Sequence, residues 1–142
     1  MQSTDLAKAV YHKMMETDYC TQWLGATPVF IKEGHCQLKM TVRKEMLNGH
    51  GILHGGIAFT FADSAFAFAA NSFGRVAVSI NSNMIFSKAA QLGETIFAEA
   101  KPLNITHKTA DFDVDITNEK GDIYYRFRGT VYRSSKNVIE NG

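Results

Sequence analysis

The chain has little cysteine and almost no net charge. Two cysteines among 142 residues, Cys20 and Cys36, are too few for a disulfide framework and are typical of free, buried thiols in a reducing compartment. The formal net charge of +1 gives no field that favours nucleic acid or an anionic membrane. Since the N-terminus also lacks a basic stretch followed by an apolar one, no signal peptide is expected. These absences predict a cytoplasmic protein without nucleic-acid or membrane partners.

Long apolar runs and nucleotide-binding motifs are missing too. The apolar stretch 57–70 has about 14 residues, whereas a membrane-spanning helix needs about 20. Neither GxGxxG nor GxxxxGK[ST] occurs, which excludes the common phosphate-binding loops. No repeat or linker divides the chain, and a hydrophobic content of 45% is that of a globular protein. We therefore expect a single domain over 1–142, with a frayed tail at 134–142.

What the chain does contain is a glycine-rich loop followed by an apolar stretch, together running from Asn48 to Ser72. The loop places four glycines around His50 and His54, and the stretch 57–70 has no glycine or proline. A helix rich in alanine and phenylalanine on every face should be buried all round. A curved antiparallel sheet is the simplest cover for such a helix in a chain of this length.

The flanking patterns supply that sheet. Helical spacing predicts a first helix over 5–15, then a connector over 20–25 with Trp23 and Leu24 on the core, while Gly74 ends the central helix. Alternation predicts six strands, at 27–32, 35–43, 76–86, 94–105, 109–117 and 122–133. The last two carry acidic and basic residues on their outer faces, where cross-strand pairs form. The expected fold is α+β, a long central helix wrapped by a six-stranded antiparallel sheet.

One ionisable residue, Asp63, interrupts the apolar helix. Burial of a carboxylate is costly without a partner, so Asp63 has either a structural partner or a chemical task. Its position between Phe61 and Phe66 favours a perturbed carboxylate suited to act as base or nucleophile. A structural role, in which it caps a loop or pairs with a base, stays open.

The loop offers further candidates. Gly55 and Gly56 place unpaired N–H groups at a helix N-terminus, where they bind an anion or polarise a carbonyl oxygen, unless the glycines serve only a tight turn. His50 and His54 are four residues apart, but the glycines argue against a helical pair, so no metal is expected. His54 is better explained as a hydrogen-bonding anchor of the loop. Ser64 lies outside GxSxG and is interpreted as a small residue rather than a nucleophile.

The spacing of Gly55 and Asp63 constrains any shared site. Eight residues of helix separate them by about 12 Å at 1.5 Å per residue, so one carbonyl cannot contact both on one helix. Two antiparallel copies could bring Gly55 of one against Asp63 of the other, which requires a homodimer. Small residues recur at helical spacing, at Ala58, Ala62, Ala65 and Ala69. They permit either close helix approach or packing on the sheet.

The motif NxxGxxHGG that begins at Asn48, with Asp63 nine residues after its last histidine, resembles the hotdog-fold thioesterases of the phenylacetic acid degradation type. The likeness covers nearly the whole chain, including the turn at 91–94. It implies dimers that often pair into a homotetramer, and hydrolysis of acyl-CoA thioesters. It implies no metal or other cofactor, CoA being part of the substrate.

The resemblance also implies roles for five residues. Asp63 corresponds to the catalytic carboxylate, which acts as general base on water or as nucleophile. Gly55 corresponds to the N–H that polarises the thioester carbonyl, and Asn48 positions the carbonyl or the water from the same subunit. His54 anchors the loop, and Ser79 helps to hold the attacking water.

Substrate contacts are expected at a second set of residues: Gly56, Phe59, Ser64, Lys88, Lys108 and Thr109. Lys108 and Thr109 lie where relatives place a Lys-Thr step near the pantetheine or nucleotide, and Lys88 or Arg128 offers a charge for the CoA phosphates or for solvent alone. Ala89 stands where many members have a proline, near the CoA entrance. The phenylalanines of the helix suit an aryl-acetyl or medium-chain acyl group, or the core only.

Two alternatives stay open. A hydratase or dehydratase that acts on acyl thioesters usually has a catalytic histidine in a different motif, which His54 does not resemble. A non-catalytic acyl-CoA binding or sensing domain would keep the pocket without needing Asp63.

Overall fold

The structure, a computed structural model, describes residues 2–140 of the chain. These residues contain three α-helices and six β-strands. The helices are α1 (Ser3–Met15), α2 (Tyr19–Leu24) and α3 (Gly55–Asn71). The strands are β1 (Thr27–Lys32), β2 (His35–Thr41), β3 (Arg75–Phe86), β4 (Thr95–Ile105), β5 (Thr109–Thr117) and β6 (Ile123–Asn137). A 3-10 turn, Lys44–Met46, lies between β2 and α3.

The six strands form one antiparallel sheet in the order β1-β2-β4-β5-β6-β3. The long helix α3 packs against strands β2 to β6, and α1 packs on β1 and α3. This is the predicted α+β architecture, a central helix wrapped by a curved sheet. Within residues 2–140, none of the helices combines the length and the apolar character needed to cross a membrane.

Alternation along β5 and β6 explains why these strands pair where they do. Inward-facing Phe112 and Val114 are buried in the core, while the outer faces carry opposite charges. Arg128 Nε lies 2.7 Å from Asp113 Oδ1, and Arg126 Nε lies 3.9 Å from Asp115 Oδ1. The predicted cross-strand ion pairs are therefore present. Because they are exposed, each adds at most about 1 kcal/mol.

The C-terminal region differs from the prediction. Strand β6 continues to Asn137, so the expectation that the chain frays from residue 134 is wrong at least that far. The polar segment is held by backbone pairing with β3, and by Arg75, whose Nε donates to the Ser134 carbonyl at 2.9 Å. Val138 N donates to Gly74 O at 2.8 Å. The final part of the predicted tail, 141–142, lies outside the described residues.

The predicted connector over 20–25 is helix α2. Asp18 caps it, since one carboxylate oxygen accepts the Thr21 N–H at 2.9 Å. Leu24 is buried as expected, but Trp23 is 48% exposed and carries the Arg43 guanidinium 4.9 Å from its ring centre, so its predicted core position is wrong.

The two cysteines also differ from each other. Both are free, but Cys20 is exposed, which corrects the expectation of two buried thiols. Cys36 is buried, and its Sγ donates to the Ala65 carbonyl of α3 at 3.1 Å. Burial raises the pKa of Cys36 to about 12, so this thiol stays protonated and serves packing.

Candidate active site

The glycine-rich loop is folded around the side chain of Asn48. Its Oδ1 accepts the N–H of His50 at 2.9 Å and that of Ile52 at 3.3 Å, while its backbone oxygen accepts the Gly51 N–H at 3.0 Å. Gly51 has φ +76°, a backbone conformation that favours glycine. The Asn48 oxygen is thus used inside the loop, and its amino group is the part left for a substrate or water.

His54 fixes the start of α3. It is the N-cap, and its Nδ1 accepts the Gly56 N–H at 2.9 Å. Its backbone N–H donates to Met46 O at 2.8 Å, and its carbonyl accepts the Ile57 N–H at 2.9 Å. This is the anchoring geometry expected for His54. Because it consumes the Gly56 N–H, that group is not available to a ligand.

The N–H of Gly55 is different, because it has no hydrogen-bond partner among residues 2–140. It lies in the first turn of α3, where the positive end of the helix dipole adds to its own polarity. A Cβ on Gly55 would lie 3.0 Å from the ring carbon Cε2 of Phe86, so any larger residue presses on that ring. The site therefore presents a free backbone donor at the start of the helix, with an aromatic ring beside it.

Asp63 lies two turns further along α3 and is half-buried. Its carboxylate makes no hydrogen bond to the residues that the structure describes. Burial raises the pKa of Asp63, and the nearby negative charge of Asp18 raises it further. A partly desolvated carboxylate without a partner is suited to take up a proton.

Ser64, next to Asp63, points into the protein. Its Oγ lies 2.8 Å from Thr21 Oγ1, and Thr21 donates its own hydroxyl hydrogen to Asp18 Oδ2 at 2.7 Å. Ser64 is therefore the donor in this buried pair. Its hydroxyl ties α3 to α2 and is not directed at the open side of the helix.

One face of α3 is left uncovered by the chain itself, which corrects the prediction of a helix buried all round. Most residues in the first turn of the helix are at least partly exposed, and beyond that turn the helix keeps a partly exposed stripe. From Gly56 the stripe continues at spacings of three or four positions, through Thr60, Asp63 and Ala67. The alanine series predicted to serve either helix approach or sheet packing lies on the other side. Its members, Ala58, Ala62, Ala65 and Ala69, are all fully buried in the chain's own core.

Edge strand β3 lies beside this uncovered face. Ser79 pairs with Val131 and Ser82 with Gly129, both of which are buried, so the two serines face the α3 side of the sheet. They share a face despite their odd spacing because a β-bulge at Ile80 adds one residue between the paired positions. Ser82 is a candidate that the sequence alone did not reveal, because the bulge reverses the alternation.

The other residues predicted to contact substrate do not lie in the glycine-rich loop. Phe59 packs edge-to-face on Phe127, with 5.2 Å between ring centres, which is a core contact. Lys88 lies 5.4 Å from the ring centre of Tyr124, beyond the end of β3. Lys108 belongs to the β4–β5 turn, where its backbone carbonyl accepts the Arg133 backbone N–H at 2.7 Å. The fold thus gathers the loop residues at the start of α3 and leaves Asp63 and the basic candidates elsewhere.

Thr109 and Arg128 also make contacts away from the loop. The Thr109 Oγ1 lies 2.9 Å from Thr106 Oγ1 within the β4–β5 turn. Arg128 is paired with Asp113 on the outer face of the sheet. Over residues 2–140, no cluster of three or more histidine, cysteine or acidic side chains is arranged to hold a metal.

One chain alone offers only a shallow cleft beside the loop. The cleft has a volume of about 250 Å³ and is lined by Glu45, Met46, Leu47, His54, Gly56 and Ile57. A larger hollow of about 490 Å³ lies on the outer face of the sheet, around the Asp113–Arg128 pair, and neither Gly55 nor Asp63 lines it. The chemistry-bearing groups are therefore on an open surface and not in an enclosed pocket.

Comparison with known proteins places this geometry in a family. The family model described as the thioesterase superfamily matches residues 50–124, just over half of the chain. The match includes the loop from His50 onward and all of α3 and β3. The chain belongs to the thioesterase superfamily. It is 38% identical over 130 residues to a putative esterase of Archaeoglobus fulgidus, covering 92% of this chain and 84% of that protein.

Relatives of the predicted type are among the matches. The acyl-coenzyme A thioesterase PaaI of Escherichia coli is 37% identical over 122 residues, covering 86% of this chain and 87% of that one. The structure of E. coli PaaI matches with a TM-score of 0.93 and 34% identity, over 96% of this chain and 99% of that one. The predicted resemblance to PaaI-type thioesterases and the predicted hotdog fold are confirmed.

A third match concerns a ligand. The structure of smu.793 from Streptococcus mutans bound to acetyl CoA has a TM-score of 0.76 and 26% identity, over 79% of this chain and 90% of that one. The family is thus one of thioester hydrolases, and at least one similar structure holds a CoA thioester.

Proposed function

We propose that this protein hydrolyses acyl-CoA to a free acid and CoA, and that it prefers an aryl-acetyl group, such as phenylacetyl or its hydroxylated forms, or a medium-chain acyl group. The observation that carries the proposal is the unpartnered Gly55 N–H at the start of α3 in a chain of the thioesterase superfamily. The similarity to E. coli PaaI and to an acetyl CoA-bound structure supports acyl-CoA as the substrate.

The proposed chemistry uses two groups. The Gly55 N–H, aided by the helix dipole, stabilises the negative charge that develops on the thioester oxygen. Asp63 takes a proton from water, whose oxygen attacks the carbonyl carbon. Alternatively, the Asp63 carboxylate attacks that carbon and forms a mixed anhydride, which water then hydrolyses to the free acid and the regenerated carboxylate. The carbon–sulfur bond then breaks, and the sulfur leaves as the thiol of CoA after it gains a proton. The raised pKa of Asp63 makes it a stronger base than an ordinary carboxylate.

Two copies of the chain are needed for these groups to act together. Gly55 and Asp63 lie about 12 Å apart along one helix. We infer a homodimer in which the uncovered faces of two antiparallel α3 helices meet, so that Asp63 of one subunit faces Gly55 of the other. We further propose that such dimers assemble into a tetramer, that the chain forms a single domain and that the protein is cytoplasmic.

Supporting roles follow from the loop and the edge strand. The Asn48 amino group would position the carbonyl or the water, His54 holds the loop, and Ser79 with Ser82 would contact the attacking water from β3. Lys88 and the Lys108–Thr109 step are proposed to contact CoA. Phe59 and Ser64 are left out, because the contacts of both are within the chain's own core.

The test is release of free thiol from a panel of acyl-CoAs by the wild type and by Asp63→Ala. The panel spans phenylacetyl, hydroxyphenylacetyl, benzoyl and straight-chain groups, and Asp115→Ala on the outer face of the sheet serves as the matched control. We expect Asp63→Ala to lose about 100-fold or more while Asp115→Ala keeps its rate, since general acid–base catalysis contributes about 10²–10⁴-fold. Tight binding of acyl-CoA without thiol release would instead favour an acyl-CoA binding domain.

A further inference from the structure

A buried tyrosine of β6 is bonded to the loop that follows β3. Tyr125 is only 2% exposed, and its hydroxyl oxygen accepts the Ala90 N–H at 2.9 Å. Ala90 is itself fully buried. An N–H group buried in this way needs a partner, and the tyrosine hydroxyl is the one that the fold supplies.

The same residue of the loop is bonded to the glycine-rich segment. The Ala90 carbonyl accepts the Leu53 N–H at 3.0 Å. Leu53 comes two residues before Gly55, and it also forms a β-bridge with Leu47. Two hydrogen bonds that share one residue therefore connect the Tyr125 hydroxyl to the backbone beside the free Gly55 N–H.

A second contact reaches Gly55 from the other side. The Phe86 ring meets the Tyr125 ring edge-to-face, with 5.9 Å between the ring centres and 89° between the planes. The same Phe86 ring leaves only 3.0 Å to the position of a Cβ on Gly55. Tyr125 thus supports the backbone before Gly55 through its hydroxyl and the ring over Gly55 through its own ring.

We propose that Tyr125 is a positioning residue, which fixes the direction in which the Gly55 N–H meets the thioester oxygen. The inference rests on the proposed function, in which that N–H stabilises the developing negative charge. Such donors act because they are held in place before the reaction, and a small displacement lowers the rate strongly. The donor acts on the transition state, so loosening of the segment lowers kcat more than it changes KM.

The neighbouring Tyr124 provides a matched control. Its hydroxyl donates to Glu94 Oε1 at 2.7 Å and accepts from Asn118 Nδ2 at 3.2 Å. These bonds hold the far end of the same loop and do not reach Leu53. Replacement of either tyrosine by phenylalanine removes one buried hydroxyl and keeps the ring.

The experiment compares Tyr125→Phe with Tyr124→Phe and the wild type, by kcat and KM on one acyl-CoA and by hydrogen exchange of the Leu53 amide. For Tyr125→Phe we expect kcat to fall about five- to tenfold, with KM changed less than about twofold, and Leu53 to exchange faster. For Tyr124→Phe we expect neither change.

Several outcomes would overturn the inference. One is a Tyr125→Phe variant that matches Tyr124→Phe in both kcat and exchange, and another is a variant whose loss is confined to KM. If the variant folds poorly, hydrogen exchange in the wild type tests the inference by itself. A Leu53 amide that exchanges as fast as the exposed Glu119 amide would show that the Ala90 carbonyl does not hold it, and would overturn the inference. Absence of thiol release by the wild type would instead refute the proposed function, and exchange at Leu53 would still test the positioning.

Discussion

The two faces of α3 differ in what they do for the molecule. The packed face carries Phe61, Phe66 and Phe68, all buried to 1% exposure or less. The opposite face carries small or polar residues and the helix's one ionisable side chain, Asp63. A helix that served packing alone would gain nothing from a half-buried carboxylate without a partner. The first face holds the fold together, and the second is where we place the chemistry.

The uncovered face continues onto an edge of the sheet that differs from the other edge. Strand β1 is six residues long, carries Pro28 and Lys32, and is covered in part by α1. Strand β3 is twelve residues long, has no charged residue after Arg75, and exposes apolar side chains that include Ile80. Edge strands of monomers are usually short, charged or interrupted by proline. From this contrast we infer that β3 is the edge that meets a second copy in the proposed homodimer.

The largest effect should come from a charge on that edge. We predict that Ile80→Lys prevents dimer formation and lowers kcat/KM by about 100-fold or more, since each half-site then lacks its donor or its base. Val29→Lys on β1, also at an exposed apolar position, is the control and should leave both unchanged. Size-exclusion chromatography with light scattering, combined with thiol release, makes the measurement. An Ile80→Lys variant that stays dimeric and active would contradict a dimer built on β3.

Substitutions that disturb the packed face of α3 should change the stability of the fold and not the assembly of the dimer. A Cβ on Gly129 would lie 2.7 Å from Phe66 Cζ and 3.0 Å from Phe127 Cε1. We predict that Gly129→Ala lowers the free energy of unfolding by about 1–3 kcal/mol, the usual cost of overpacking. Gly49→Ala, with open space around it, is the control. Urea denaturation measures both, and an unchanged Gly129→Ala would mean that Phe66 can move aside.

Much of this contrast could be predicted from sequence, because it depends on local spacing. The central helix and the alternation of β5 and β6 are periodic signals, and the spacing of Gly55 and Asp63 follows from helix geometry. None of these depends on the tertiary contacts around the segment. The motif around His54 pointed to the correct family. The prediction that α3 is buried all round was wrong because small residues such as Gly56 and Thr60 look the same on a packed face and on an open one.

The features that sequence did not show depend on contacts between distant segments. Helix α2 is six residues long, too short for a periodic signal, and was interpreted as a connector. The bulge at Ile80 is visible only in the pairing with β6, so Ser82 was assigned to neither face. The bond from Ser64 to Thr21 joins residues 43 positions apart. The polar end of β6 is held by backbone pairing with β3 and by side-chain bonds to distant segments, such as that from Ser134 Oγ to the Val76 carbonyl at 2.7 Å.

The bond between Ser64 and Thr21 allows a smaller test, because it lies one residue from Asp63 but on the packed side. We predict that Ser64→Ala lowers the free energy of unfolding by about 1 kcal/mol, the usual net value of a hydrogen bond. Activity should fall no more than about twofold if Ser64 serves packing. Thr41→Ala, which breaks an exposed 3.3 Å contact with Thr95, is the control with little expected effect. A large loss of activity with unchanged stability would instead indicate that Ser64 contacts the substrate, as the sequence predicted.

The smallest effect should have the opposite sign and should depend on pH. Because burial raises the pKa of Asp63 in the folded chain, the unfolded chain ionises first as the pH rises, and the wild type loses stability between the ordinary carboxyl pKa and the raised one. Asp63→Asn removes this loss, so we predict a Tm equal to the wild type's at low pH and higher than it near neutral pH. Solvent access to the half-buried carboxylate keeps the gain modest. Thermal melts of both proteins from acid to neutral pH make the measurement. A variant less stable than the wild type at neutral pH would show that the Asp63 carboxylate has a stabilising partner, and the uncovered face would then hold structure as well as chemistry.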